Sequence, residues 1–395
     1  MTELSTIVTS LDWLPISVLM EIVEALCPHC TLGPTGPQSR RFWRAYDGVT
    51  YSNTDTCSRI QSLASLARCN WTFNNVATPA LYHQPKARLS LIRTLDQKPE
   101  LCRHITNLYF DIAVGNFKKP SEQDKAMLLR LAAKHSPGQL SIREENNAGL
   151  TSAADWLEEE TDMFLEGLLV AMCPRVRDLF VPCGYSAQFP LSQPGTLPRL
   201  EHLHIAHTDT EMGTTLRSAA SLIVAAPNLN KFWGYMINST SNTEDLPFDN
   251  LTELRFLSSC FGRNSLVSLL RACPVLESFS YEAGGACSGD VQFSPRDAQT
   301  ALVRYHAHSL KYLELSMSEG EGMWDMNESD SDPGTDDHTE GDDDEYLSRG
   351  LASLSSLEVL EIDWSCLRPY WEKEDPSYLA TIVPSTVKEV IMLPH

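Results

Sequence analysis

The sequence predicts an α/β fold in two parts: a short helical domain, then an irregular repeat solenoid with a curved parallel sheet. Three observations lead there. Apolar residues recur at helical spacing through the first hundred residues; short L-x-x-L-x-Φ fragments, Φ being apolar, recur from Ile105 onward; and each fragment follows a helical run. A chain of 395 residues suits about two to three domains. Its 42% hydrophobic and 21% charged content with 11 Cys describes an ordinary reduced globular protein rather than a disulfide-dense one.

The first element is Leu14 to Leu26, LPISVLMEIVEAL, where Val18, Leu19, Ile22, Val23 and Leu26 keep three- and four-residue steps. Pro15 suits the helix head, because its missing N–H would have no partner there. The helix stops at Cys27-Pro28, and the next stretch, to about Ser58, reads as a long loop broken by Gly33-Pro34 and Gly36-Pro37. A second periodic run holds Ile60, Leu63, Leu66, Ala67 and Trp71; Pro79 then marks a boundary or kink; a third run, Leu89 to Leu95, ends before Lys98-Pro99. The first domain is therefore expected over residues 1–100, with an inserted loop at 28–58, and the solenoid over 101–395.

The repeats are ITNLYF, VRDLFV, LEHLHI, LNKFWG, LTELRF, LESFSY, LKYLEL, LEVLEI and VKEVIM. Their fourth residues are Leu108, Leu179, Leu203, Phe232, Leu254, Phe279, Leu313, Leu360 and Val390, at intervals of 71, 24, 29, 22, 25, 34, 47 and 30. Half of these fall in the window of roughly 20–29 residues that marks leucine-rich repeats. The longest contains a periodic run at Gln123 to Leu131, a possible strand at 139–142 and a helix from Trp156 to Met172, room for one degenerate repeat. Three links share one form, a helix ending at Cys173, Ala226 or Cys273, then proline, with a strand expected two residues later. Such units bury a continuous core and lay their strands side by side. A doubly wound domain would instead need a glycine-rich phosphate turn after an early strand, and the sequence has none.

The interval of 47 contains the segment from Glu319 to Glu345, which carries 13 acidic residues and no Lys or Arg. That composition cannot repay the entropy of ordering and predicts a disordered insertion. It also accounts for most of the net charge of −21, a sign that disfavours nucleic acid and anionic membranes as partners. No run reaches the 18 or so apolar residues of a membrane span, and the start of the chain lacks a basic, apolar leader. A cytosolic or nuclear protein is the expectation.

Catalytic patterns are missing: no G-x-S-x-G, Walker A loop, H-E-x-x-H or paired C-x-x-C occurs. Cys27 and Cys30 give half of a zinc site, and the sequence supplies no second half nearby. His202 and His204 share a strand face, without an evident carboxylate to orient them. Glu158, Glu159, Glu160, Asp162 and Glu166 suit a helix head electrostatically. Arg40, Arg41 and Arg44 interleave with Phe42, Trp43 and Tyr46 as a loop packed on its own domain. No enzyme activity and no cofactor are expected.

LPISVLMEIVEAL resembles the opening of an F-box, and SLASLARCNWTFNNVATPALYHQPKARLSLIRTLDQKPELCRHITNLYF is similar to the remainder of a fungal F-box protein with a C-terminal leucine-rich-repeat-like domain. The resemblance covers residues 12–110 and, by architecture, the repeats beyond. It implies core positions at Leu63, Leu66, Ala67 and Trp71, an extended region at Ala77 to Tyr82, and docking on the Skp-type adaptor of an SCF-type cullin-RING ubiquitin ligase. The family's adaptor-binding residues fall on Leu14, Pro15, Val18, Leu19, Ile22, Leu63, Leu66 and Trp71. The insertion at 28–58 departs from the family, although each doubling of a loop costs only about 0.6 kcal/mol. The repeats would hold a protein substrate. With the leucines inward, the exposed strand positions are expected at His202, His204, Lys231, Trp233, Glu253, Arg255, Ser278, Ser280, Tyr312, Glu314, Glu361 and Trp364; His202, His204, Trp233, Arg255 and Trp364 are the candidate substrate contacts. The alternative is a repeat scaffold with a degenerate box and no ligase role.

Overall fold

The computed structural model describes residues 14–31, 54–110, 120–135, 153–182, 193–207, 213–239, 246–284, 293–317, 350–367 and 382–393. The chain divides into two compact units at Tyr109/Phe110, a few residues beyond the expected boundary. The acidic segment lies outside the described residues, as do Arg40 to Tyr46 and residues 139–142.

The first unit comprises helices α1 (Ile16–Leu26), α2 (Pro28–Thr31), α3 (Thr54–Leu66), α4 (Trp71–Leu81) and α5 (Leu89–Gln97), a 3-10 turn (Pro99–His104) and strand β1 (Asn107–Tyr109). Pro15 caps α1 through its carbonyl, which accepts from Val18 and Leu19 N–H at 3.0 and 3.1 Å. Asn70 caps α4 by accepting from Phe73 N–H at 2.9 Å, and the Asn74 amide reaches back to the Ala67 carbonyl at 2.8 Å. Val23, Cys27, Leu63, Ala67, Ala77 and Ala80 form the shared core, flanked by Leu26, Leu66, Val76 and Leu81. Small residues at half of these positions bring the helix backbones close.

Three expectations are corrected in this unit. Residues 28–31 and 54–58 are helical, so the loop is shorter than 28–58. Ala77 to Leu81 is helix rather than an extended stretch, and α4 runs through Pro79 to end at Leu81. Trp71 is 79% exposed rather than core. Phe73, Ala77 and Ala80 occupy the inward stripe of α4, and a residue two before Phe73 faces the opposite side.

The second unit opens with α6 (Glu122–His135), α7 (Ala153–Glu159) and α8 (Thr161–Met172); the single helix expected from Trp156 to Met172 is broken at Glu160. An open, all-parallel sheet follows, built from β2 (Asp178–Pro182), β3 (His202–Ala206), β4 (Lys231–Tyr235), β6 (Glu253–Phe261), β7 (Ser278–Ala283), β8 (Tyr312–Met317), β9 (Val359–Asp363) and β10 (Glu389–Leu393), in chain order, with the two-residue β5 (Asn238–Ser239) on β6. The helices α9 (Ala220–Ala225), α10 (Arg263–Arg271) and α11 (Pro295–His306) each precede a strand of this sheet.

The strand register places Leu179, Leu203, Phe232, Leu254, Phe279, Leu313, Leu360 and Val390 in one cross-strand row, the positions that the repeat alignment equates. All but Val390 are fully buried. The approach to each strand is longer than expected, the strand starting four residues after Pro174, Pro227 and Pro274. The first apolar residue of each fragment occupies that turn: Val176, Leu229 and Leu276 are buried and bond back to the carbonyls of Cys173, Ala226 and Cys273 at 3.1–3.2 Å.

Neighbouring repeats are joined by a recurring backbone joint. The carbonyl just before each strand accepts two N–H groups of the next repeat: Arg177 from Glu201 and His202, Glu201 from Asn230 and Lys231, Asn230 from Thr252 and Glu253, and so on through Glu358, which accepts from Lys388 and Glu389. Side chains add to it. Asn228 and Asn250 amides donate to the Pro198 and Pro227 carbonyls at 2.8 and 2.9 Å, and the His306 ring bonds the Leu270 carbonyl at 2.9 Å, near the end of α10. Since a carbonyl only accepts, His306 carries its proton on Nε2.

The core is densest around β6, where Phe256 meets Phe232, Phe261 and Tyr281 at 6.0, 4.7 and 6.3 Å. The β6–β7 register shifts between Phe256 and Ser259, and Ser258 takes a positive φ of 46°. Tyr281 repairs that break: its hydroxyl donates to the Ser259 carbonyl at 2.8 Å and accepts from Phe261 N–H at 3.0 Å.

Glu166 does not sit on an exposed helix head but on the inward side of α8, among Phe164, Leu165, Leu168 and Leu169, only 7% exposed. Burial pushes its carboxyl well above the ordinary range, and Asp162 adds to the shift. A carboxyl that holds its proton more tightly when folded makes folding progressively less favourable as pH rises from the ordinary carboxylate range through its folded pKa. Glu166→Gln is expected to raise Tm at about pH 8 and to change it little at about pH 4. Thermal melts of both proteins across pH give the comparison.

Candidate functional site

Two regions hold the residues singled out from the sequence. On the first unit, α1 carries more apolar surface than it buries. Leu19 and Leu63 are 2% and 1% exposed, so these two expected adaptor contacts are core residues and hold the helices instead. Val23 and Cys27 complete the inward stripe of α1. Val18, Ile22 and Leu66 are half-buried, Leu14 is half-buried beside an exposed Pro15, and Trp71 stands out at the head of α4. The sequence reading missed Ile16 and Met20, which are 63% and 51% exposed. The signal was available: both are apolar at i and i+4, and both lie off the stripe that Leu19 and Val23 define.

On the second unit, the sheet face opposite the leucine row carries a polar row. Phe180, His204, Trp233, Arg255, Ser280, Glu314 and Glu361 align across the strands. The His204 ring meets Trp233 edge-on at 4.9 Å. The Trp233 indole N–H donates to Glu253 Oε1 at 2.9 Å, and the Arg255 guanidinium lies 5.1 Å over the same ring. Arg255 donates to Ser280 Oγ and to Glu314 Oε2, each at 3.3 Å. Glu314 also accepts from Ser280 at 2.6 Å and from the Tyr312 hydroxyl at 3.1 Å.

At the start of the row, Asp178 lies between two imidazoles, 3.5 Å from His202 Nδ1 and 3.1 Å from His204 Nε2. Burial works to raise the Asp178 carboxyl, but hydrogen bonds and charge from His202 and His204 outweigh it and hold the group below the ordinary range. The sequence reading found the histidines without an orienting carboxylate, and Asp178 is that carboxylate. It was legible in the repeat alignment, which pairs Asp178 with His202 once Leu179 is set against Leu203.

The expected substrate contacts are redistributed accordingly. His204 and Trp233 are 1% and 4% exposed and are not open surface. Parallel strands stand only about 4.8 Å apart, so large side chains in one cross-strand row cover one another. Ser280 and Glu314 are buried for the same reason, whereas Arg255 and His202 keep partial exposure. Trp364 follows β9 at the start of the short helix α12 (Trp364–Leu367), where strand alternation no longer sets direction; its side chain lies outside the described residues. What stays half-exposed is the rim of the row, His202, Lys231, Glu253, Tyr312 and Glu361. This mixed-charge edge suits contact with a polypeptide.

Among the described residues no helix is long and apolar enough to cross a membrane. Neither a protein-family model nor any curated protein matches the chain.

Proposed function

We propose that the chain is a non-catalytic recruiting subunit, an F-box protein whose first unit docks on the Skp-type adaptor of a cullin-RING ubiquitin ligase and whose leucine-rich-repeat-like second unit holds a protein substrate. The observation that carries the reading is the apolar surface left uncovered on the first unit: Ile16 and Met20 on α1 and Trp71 on α4, beside the exposed Pro15. Exposed large apolar side chains set on helices mark protein contacts more often than scattered single residues do. They fall in the segments that resemble the box. On the second unit the substrate contacts are assigned to the half-exposed rim, with His202 and Arg255 kept and Lys231, Glu253 and Tyr312 added. No metal, cofactor or nucleic acid enters this role.

The test is co-purification of the full chain with a Skp-type adaptor. Wild type is expected to form a stable complex, and an Ile16→Asp, Met20→Asp double variant to weaken it about 100-fold, since a charge at a desolvated anchor removes a hot spot. Circular dichroism of the variant should match wild type, because neither residue is core. Deleting residues 32–53 shows whether that segment obstructs docking. If neither the wild type nor the deletion binds the adaptor, the ligase assignment falls and the chain is a repeat scaffold.

A further inference from the structure

The first unit gathers a donor set that its sequence separates. Cys27 and Cys30 stand at the end of α1 and in α2, while His83 follows α4, 53 residues beyond Cys30. His83 Nδ1 lies 3.4 Å from Cys30 Sγ and 3.9 Å from Cys27 Sγ, and one donor atom from each of the three residues falls within 4.8 Å of the others. A tetrahedral zinc with Zn–S near 2.3 Å and Zn–N near 2.05 Å sets adjacent sulfur and nitrogen about 3.6 Å apart, and the two measured separations bracket that edge.

The placement of these side chains is fixed by other contacts. Cys27 is 1% exposed within the helical core, and the thiol proton that it donates to the Ala80 carbonyl at 3.6 Å is the one a metal would displace. The His83 carbonyl accepts N–H groups of Thr106 and Asn107 at 3.2 and 3.0 Å, while the His83 N–H bonds the Ala80 carbonyl at 3.3 Å. The imidazole is thus carried on a backbone held at both ends, and Cys30 is exposed on the outer side. Two sulfurs and an imidazole are a soft donor set that favours zinc over magnesium, calcium or manganese.

We infer that Cys27, Cys30 and His83 form a zinc site that ties the end of α1 to the end of α4, with water completing the tetrahedron on the side of Cys30. The site ties together helices whose shared core is built half from alanine. Ala67, Ala77 and Ala80 contribute little apolar area, and metal binding that couples to folding would add stability there. It is independent of adaptor docking, since Ile16, Met20 and Trp71 are not ligands.

The experiment uses the full chain, expressed with added zinc, purified in reducing buffer and freed of loose metal on a desalting column. Elemental analysis is expected to find about one zinc per chain. Cys30→Ser and His83→Ala should each lower zinc retention at least about tenfold. His83→Cys should retain the metal, because thiolate replaces imidazole as a ligand. Cys69→Ser and His204→Ala should retain it as well, which separates this site from Asp178, His202 and His204. Replacing zinc by cobalt(II) should give a thiolate-to-cobalt charge-transfer band that Cys30→Ser weakens by at least about half, since one of its two thiolates is lost. Cys30 is exposed, so that variant folds even if His83→Ala does not. A wild-type chain that retains no zinc, full retention by Cys30→Ser, or a Cys27–Cys30 disulfide under the reducing conditions overturns the assignment.

Discussion

Replacing Arg255 with alanine should destabilise the second unit by about 3 kcal/mol, the low end of the cost of breaking a buried ion pair, since Glu314 is buried while Arg255 keeps 16% side-chain exposure. Glu314 is 1% exposed and would keep the hydroxyls of Ser280 and Tyr312 but lose its cation. The guanidinium would also leave the face of Trp233, so the near-ultraviolet circular dichroism should change together with the denaturation midpoint. An Arg255→Met, Glu314→Leu double variant should recover most of the loss, since a buried pair replaced by apolar side chains is often neutral. Urea titrations of wild type, Arg255→Met, Glu314→Leu and the double variant form a double-mutant cycle, with Arg255→Ala measured beside them. A loss from Arg255→Ala below about 1 kcal/mol, the level of an exposed pair, would show that the row is not electrostatically tight.

Phe256→Ala is expected to cost a similar about 3–5 kcal/mol, for a different reason. Its ring is fully buried and touches Phe232, Phe261 and Tyr281, so truncation opens a cavity at the junction of β4, β6 and β7. The bulged strand gives little room to collapse into that space, because Tyr281 already holds the Ser259 carbonyl and the Phe261 N–H. Phe256→Leu should cost markedly less. The midpoint in guanidinium, with its slope unchanged, measures both.

Most of the second unit was legible in the sequence because its periodicity and its pairing are the same fact. Equating Leu179, Leu203, Phe232, Leu254, Phe279, Leu313, Leu360 and Val390 by motif equates them by register, whatever the lengths between them. The polar face was less legible. Alternation says that His204, Trp233 and Glu314 point away from the leucines, but not that side chains on adjacent strands bury one another, so positions opposite the core were taken for open surface. In the first unit the periodicity located α1 and α3 and left their partners ambiguous. Leu19 and Ile16 are both apolar and three residues apart, and only the folded unit shows that Leu19 is enclosed and Ile16 is not. Cys27 and Cys30 were legible as half of a zinc site, but His83 was not, because motif spacing is a local signal and the third donor comes from a different helix end.

The backbone joint between repeats has a consequence for how this protein can change. Its acceptors are carbonyls of Arg177, Glu201, Asn230, Thr252, Glu277, Lys311 and Glu358, all polar but of either charge or none. Since these bonds run from backbone to backbone, the acceptor residues' own side chains are chemically free at these points. Several of the residues already use that freedom, as Arg177 pairs with Glu201, Lys311 with Glu277 and Lys388 with Glu358 on the exposed edge. Mutation can rewrite the charge pattern of this rim, one repeat at a time, without altering the hydrogen bonds that stack the repeats. A chain assembled this way acquires new binding preferences by drift along its edge rather than by redesign of its core.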